Sequence, residues 1–205
     1  MQLTDDKKKQ KAVFLDRDGV ITQEPPHYAH RVDQLALVPG AAEAIRLLND
    51  NKFLVVVVTN QAGIARGLYE EKDMHVFNRA MEEELKKEKG ARIDATYWCS
   101  HHPEALHEKH RCVCDCRKPS PGMILRASRE LSIDCESSFL VGDKWSDIEA
   151  GTRAGCKTIM VRTGHGQQEC AVRENRSANY HVADIFEAVR IVLDQREDIN
   201  VKRID

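Results

Sequence analysis

"FLVVVVTN", residues 53–60, decides the fold. Every position from Phe53 to Val58 is apolar, and a run of β-branched valines occupies its centre. A half-exposed element would show a polar face; this one shows none, which fits a strand covered on both sides in a parallel sheet. The run then stops at the polar pair Thr59-Asn60. Similar short apolar runs recur as "AVFLD" (12–16), "IDATYWC" (93–99), "SFLVGD" (138–143) and "KTIMV" (157–161), the first and third ending in a carboxylate.

Helical patterns fill the intervals. In "PGAAEAIRLLNDN" (39–51), Ala41, Ile45 and Leu48 share one face, and Met74, Phe77, Met81 and Leu85 share a face of a helix that Gly90 closes. Further helices are expected over "MILRASREL" (123–131), "SDIEAGTRAG" (146–155) and "ADIFEAVRIVLDQ" (183–195). Strands alternating with helices predict βαβ units: an α/β, Rossmann-like parallel sheet with helices on both faces. With 205 residues and 41% hydrophobic content the chain can bury one full core, so a single domain over 1–205 is expected. The interval from Asp16 to Thr59 holds one loop and one helix, so no large cap domain is inserted there.

Bulk properties exclude several classes. The N-terminal "MQLTDDKKKQK" has no apolar segment of a secretion signal, and the longest apolar run is too short to span a bilayer. A net charge of −2 gives no electrostatic footprint for nucleic acid or membrane. Seven cysteines, an odd and sparse set, do not make a disulfide framework. A cytoplasmic protein with reduced thiols is expected, and a monomer, since no apolar stripe is left over.

In such sheets ligands bind at the carboxyl ends of the strands. There the chain places Asp16, Arg17, Asp18 and Gly19; then Thr59, Asn60 and Gln61; then Asp143 and Lys144, with Asp147 one helical turn on. Each has a bland reading alone: Asp-Gly makes turns, and Ser146 or Asp147 can cap a helix. Together, carboxylates gathered at one rim repel one another unless a cation joins them, and an oxygen-only set favours Mg2+. Asp16 and Asp18 leave the strand on one face, so one can attack while the other handles a proton.

The motifs "FLDRDG", "VVVTNQAGIARG", "RKP" and "LVGDKWSD" resemble, in order, the four motifs of haloacid dehalogenase-type phosphatases. The resemblance implies Asp16 as nucleophile, Asp18 as acid and base, and Thr59 and Lys118 as phosphoryl-oxygen ligands. It also implies that Asp16, Asp143 and the backbone carbonyl of Asp18 hold Mg2+.

A second cluster lies in "YWCSHHPEALHEKHRCVCDCRKP": Cys99-x-His101, then residues 102–113, then Cys114-x-Cys116. Two close pairs of soft ligands joined by a loop suit tetrahedral zinc, while the absence of a C-x-x-C run argues against an iron–sulfur cluster. Spacing leaves the ligand set open, because His102, His107, His110 and Cys112 are also within reach. The segment is similar to one in the heptose-1,7-bisphosphate 7-phosphatase branch of the family. That similarity points to Cys99, His101, Cys114 and Cys116 as ligands, in a zinc loop over 99–116 that presents Arg117 and Lys118 to the site. It further implies a sugar bisphosphate as small-molecule substrate, contacted by Arg17, Glu24, His27, Tyr28, Asn60, Gln61, Ala62, Arg66, Arg117 and Lys144. Ala62 departs from the Ser common in the family, which removes one hydroxyl. The rival readings are a histidinol-phosphate phosphatase, whose zinc loop is usually shorter, and a non-catalytic zinc-stabilised binding module.

Overall fold

The computed structural model describes residues 9–24, 28–172 and 177–201. The valine-rich run forms strand β2 (Leu54–Asn60), parallel to β1 (Ala12–Leu15) with Leu15 opposite Val57. β3 (Ala95–Cys99) lies outside β2, while β4 (Phe139–Gly142), β5 (Lys157–Val161) and β6 (Tyr180–Val182) extend the other side of β1. The order β3-β2-β1-β4-β5-β6 is that of a doubly wound sheet whose direction of growth reverses beside β1. All the pairings are parallel.

Alternation along the strands sorts the core into two layers. Val13, Leu15, Val55, Val57, Val141 and Ile159 face α1 (Ala41–Asp50), α3 (Glu71–Lys89) and α7 (Ile185–Val201), meeting Ile45, Leu48, Met81, Leu85 and Val189. Ala12, Phe14, Val56, Val58 and Leu140 face the opposite way, onto Met123, Ile124 and Ala127 of α4 (Gly122–Leu131) and Ala150 of α5 (Trp145–Arg153). Burial of both faces is what an unbroken apolar strand requires. α3 ends where expected, at Gly90 with φ of 65°.

Three elements were not expected: the short helices α2 (Ala62–Ala65) and α6 (Gly166–Val172), and the sixth strand β6. Each is too short to carry a periodic signal. The segment between β3 and α4 contains only one 3-10 turn, Glu108–His110, as a loop shaped by something other than backbone ladders should. Among the described residues, no helix is long and apolar enough to cross a membrane.

Candidate active site

The strand ends at the reversal point converge. Asp16 follows β1 directly, Thr59 is the penultimate residue of β2, and Asp143 follows β4 directly; all three are buried. After Asp18 the chain must turn sharply, and Gly19 does so at φ of 85°. Only glycine fits, since a Cβ there would lie 2.4 Å from Asp143 Oδ2. Gly164, in the loop after β5, backs the same oxygen, and a Cβ there would lie 2.3 Å away.

Lys118 sits inside this ring, 3% exposed, its Nζ 3.0 Å from Asp16 Oδ1 and 2.7 Å from Asp147 Oδ1, while donating to the Val58 carbonyl at 2.8 Å. Burial opposes its charge, yet Asp147 and Asp16 outweigh burial and hold its pKa above the usual lysine value. The backbone of Lys118 is clamped in both directions by Asn60: Asn60 Nδ2 donates to its carbonyl at 3.0 Å, and its N–H donates to Asn60 Oδ1 at 3.1 Å.

Carboxylates outnumber this one ammonium. Oxygen atoms of Asp16, Asp143 and Asp147 approach within 4.8 Å of one another, all buried. Burial, and after it the carboxylates of Asp147 and Asp18, push Asp16 up to about 6 against the pull of Lys118. Burial and the neighbouring Asp16 push Asp143 up to about 8. Asp143 Oδ1 is buried with no hydrogen-bond partner among the described residues. A small hard cation bound by oxygen fits this arrangement: it would neutralise the cluster and satisfy that atom.

Asp18 is held from behind. Arg17 Nε and Nη2 donate to its two oxygens at 3.0 and 2.9 Å, Gln61 Nε2 donates at 3.2 Å, and Thr22 Oγ1 lies 3.3 Å away. Arg17 and Gln61, expected at the substrate, are each 1% exposed and hydrogen-bonded throughout. Arg17 also donates to Asn78 Oδ1, the Ala29 carbonyl and Gln61 Oε1, and lies over the Phe77 ring. Gln61 donates to Thr59 Oγ1 at 2.8 Å and accepts from the Tyr69 hydroxyl at 2.7 Å. With their donors and acceptors engaged, both orient Asp18 and Thr59 and are not free to grip a ligand. Asn60 holds Lys118 with its carboxamide and also lines the cleft.

In front of the ring opens a cleft of 780 Å³ lined by Glu24, Tyr28, His30, Asn60, Ala62, Arg66, Arg117, Lys118, Lys144 and His165, among others. Tyr28 and Arg66 form one wall, Arg66 Nη1 donating to the Tyr28 hydroxyl at 2.7 Å. Glu24 and Lys144 form another, Lys144 Nζ donating to both Glu24 oxygens at 3.1 and 3.2 Å. Arg117 makes no ion pair among the described residues and donates to the His101 carbonyl at 3.3 Å. His27 lies outside the described residues.

The soft-ligand cluster also assembles. The donor atoms of Cys99, His101, Cys114 and Cys116 lie within 4.8 Å of one another. Cys116 Sγ is 3.1 Å from Cys99 Sγ, 3.1 Å from Cys114 Sγ and 3.4 Å from His101 Nδ1. The cysteines are free thiols, and the grouping has the composition and compactness of a tetrahedral zinc site. Cys112 is exposed and outside the cluster, and of the competing histidines His110 bonds Ser100 instead. The loop packs back onto α2, where the Leu106 N–H donates to the Ala65 carbonyl at 2.9 Å.

Two residues of the site were given no assigned role by the sequence. Asp147 is both things weighed for it: Oδ2 caps α5 by accepting from the Lys144 N–H, and Oδ1 pairs with Lys118. The spacing from Asp143 was the available signal. His165 donates its backbone N–H to Asp143 Oδ2 at 2.8 Å and places its ring against Glu24. A lone histidine in a loop offers no sequence signal.

Comparisons with known proteins agree on the kind of molecule. A HAD-hydrolase-like family model matches residues 115–188. The D-glycero-beta-D-manno-heptose-1,7-bisphosphate 7-phosphatase of Photorhabdus laumondii is 45% identical over 154 residues, covering 75% of this chain and 81% of that protein. The D-glycero-alpha-D-manno-heptose-1,7-bisphosphate 7-phosphatase of the same organism is 43% identical over 162 residues, covering 78% of this chain and 87% of that protein. The crystal structure of D,D-heptose 1,7-bisphosphate phosphatase from B. bronchiseptica, complexed with magnesium and phosphate, superposes with a TM-score of 0.81 at 31% identity, covering 91% of this chain and 99% of that one.

Proposed function

The chain belongs to the heptose-1,7-bisphosphate 7-phosphatase family of HAD-like hydrolases, and from that premise we propose that it removes the 7-phosphate of D-glycero-D-manno-heptose 1,7-bisphosphate with Mg2+, in nucleotide-activated heptose synthesis. It is a phosphoric monoester hydrolase. The observation that carries the substrate reading is the distribution of charge in the cleft. Lys118 lies at its floor, while Arg66, Arg117 and Lys144 line its walls. The carboxylate among the lining residues, Glu24, is already paired with Lys144. That lining suits a substrate anionic at both ends. Histidinol phosphate, with its ammonium group, would meet cations on the walls, so the rival activity is disfavoured by like charge.

In this reading Asp16 attacks the phosphorus through Oδ2, since Oδ1 is engaged by Lys118 and by the Arg17 N–H at 2.8 Å. The bond from phosphorus to the C7 oxygen breaks, and Asp18 in its acid form protonates that oxygen. Asp18, now a carboxylate, takes a proton from the water that attacks the aspartyl-phosphate. Phosphate leaves and Asp16 is regenerated. Thr59 and Lys118 hold the phosphoryl oxygens throughout, and the arrangement is one of positioning and charge complementarity. Asp16, Asp143 and the Asp18 carbonyl would hold Mg2+, which when bound withdraws charge from the phosphoryl oxygens. Zinc on Cys99, His101, Cys114 and Cys116 would be structural. A reducing, cytoplasmic setting fits the free thiols.

The test is kcat/KM for phosphate release from heptose 1,7-bisphosphate and from histidinol phosphate, with Mg2+ present. Preference for the bisphosphate is expected. Preference for histidinol phosphate would overturn the substrate reading, and no release from either would favour the binding module.

A further inference from the structure

The loop after β5 enters the site from a direction the four phosphatase motifs do not cover. Thr163 Oγ1 donates to the Gly19 carbonyl at 2.6 Å, and the Gly166 N–H closes the turn onto the Thr163 carbonyl at 2.9 Å. Between them Gly164, at φ of 57°, and the backbone of His165 both lean on Asp143. The loop is thus fixed at both ends before any side chain of His165 is considered.

The imidazole then has a defined place. His165 Nδ1 contacts Glu24 Oε2, and Glu24 accepts from Lys144 Nζ with both oxygens. Glu24 alone would be one side chain on a surface loop, and Lys144 a flexible ammonium with several rotamers. Held from two sides, Glu24 becomes a fixed post for Lys144. Lys144 follows Asp143 directly in the chain and lines the same cleft as Lys118, which pairs with Asp16.

Resting on the phosphatase reading above, we propose that His165 is a positioning residue for phosphoryl transfer: through Nδ1 it holds Glu24, which fixes the Lys144 ammonium in the cleft that Lys118 shares, where charge on the phosphoryl oxygens must be met. Nδ1 meets Glu24 at ion-pair distance without the alignment of a hydrogen bond. The competing account is an ordinary surface pair, since the two side chains are 45% and 23% exposed. Such pairs add little to stability. The two accounts therefore differ in turnover while agreeing on folding.

The experiment uses the full chain with Mg2+ and two substrates, heptose 1,7-bisphosphate and 4-nitrophenyl phosphate. H165A is expected to lower kcat about tenfold on both, the lower end of what a hydrogen bond to a charged group is worth. Its melting temperature should match the wild type. Inhibition by vanadate, which mimics the transferring group in its transition state, should weaken by the same factor as kcat/KM. Asparagine places an N–H where Nδ1 stood, whereas glutamine reaches where Nε2 stood, so H165N should recover most of the lost rate and H165Q should not. In an E24Q background, H165A should add no further loss, because the two act as one unit. An unchanged kcat in H165A, a loss confined to KM for the bisphosphate, or equal recovery by H165Q would each overturn the proposal. If the wild type neglects the bisphosphate, the substrate reading falls while the aryl phosphate series still decides the role of His165. A wild type inactive on both substrates overturns the two together.

Discussion

Replacing Lys118 with methionine removes the ammonium from a buried ring while keeping most of its volume. In the native protein that ammonium lies 3.0 Å from Asp16 and 2.7 Å from Asp147 and donates to the Val58 carbonyl. Breaking a buried ion pair by deleting one partner destabilises by about 3–5 kcal/mol, because the surviving charge is stranded. For a chain of this size each kcal/mol moves the melting midpoint by roughly 2–4 °C, so a fall of roughly 6–20 °C is expected in metal-free protein near pH 8. The stranded groups are acids, and protons can neutralise them. Lys118 lowers the pKa of Asp16, so its removal raises that pKa further above its native value of about 6. Near pH 5 Asp16 then goes neutral, and the loss of stability shrinks. The assay is a pair of thermal melts in EDTA, wild type against Lys118→Met, at the two pH values. The same loss at both, or a loss under about 2 °C near pH 8, would refute the reasoning that Lys118 compensates the buried carboxylates. Turnover of every phosphomonoester should fall by about 10²–10³, as for removal of one donor to the developing charge.

Asp16→Asn should abolish turnover in a folded protein, since an amide forms no acyl-phosphate; rapid-quench trapping of labelled phosphoenzyme in the wild type and its absence in the variant checks this. Cys116→Ala should lower bound zinc and melting temperature together, measured by elemental analysis and thermal melts, because structural metal binding is coupled to folding. Arg117→Ala should reduce kcat/KM far more for the heptose bisphosphate than for 4-nitrophenyl phosphate, because the guanidinium faces the cleft and pairs with no carboxylate; equal factors for both substrates would count against it. In metal-free protein, Asp16 and Asp143 have folded-state pKa values of about 6 and about 8, above the ordinary 3.8. Folding therefore favours their protonated forms, and this stability is complete below 3.8 and lost as pH rises through 6 and then 8. Mg2+ should accordingly raise the melting temperature more at alkaline than at acidic pH, which a melt series with and without Mg2+ checks.

Asp16, Thr59 and Asp143 could be placed from sequence because a strand that ends in a polar residue announces both its position and its face. The same alternation that sets Asp16 and Asp18 together turns Arg17 the other way, yet a buried arginine is a poor default expectation, and only the structure shows the Asn78, Ala29 and Gln61 partners that satisfy it. The bond between Gln61 and Tyr69 is illegible for a related reason: Tyr69 belongs to the turn before α3, and nothing local signals their contact. The cysteine spacing carried the soft-ligand cluster as a group, while the choice among neighbouring histidines needed coordinates. Glu24, Lys144 and His165 come from three distant loops, so their meeting is a property of topology and invisible to any window of sequence.

The two-way grip of Asn60 on the backbone of Lys118 separates two jobs that one segment performs. Lys118 is registered to β2 directly, without reference to the residues that lead up to it. Residues 102–113, between the two ligand pairs, can then vary in length and composition so long as Cys99, His101, Cys114 and Cys116 remain tied. The interval behaves as an exchangeable cassette: evolution, or an engineer, can graft a different loop there to suit a different sugar, and the ammonium that serves the chemistry stays in register.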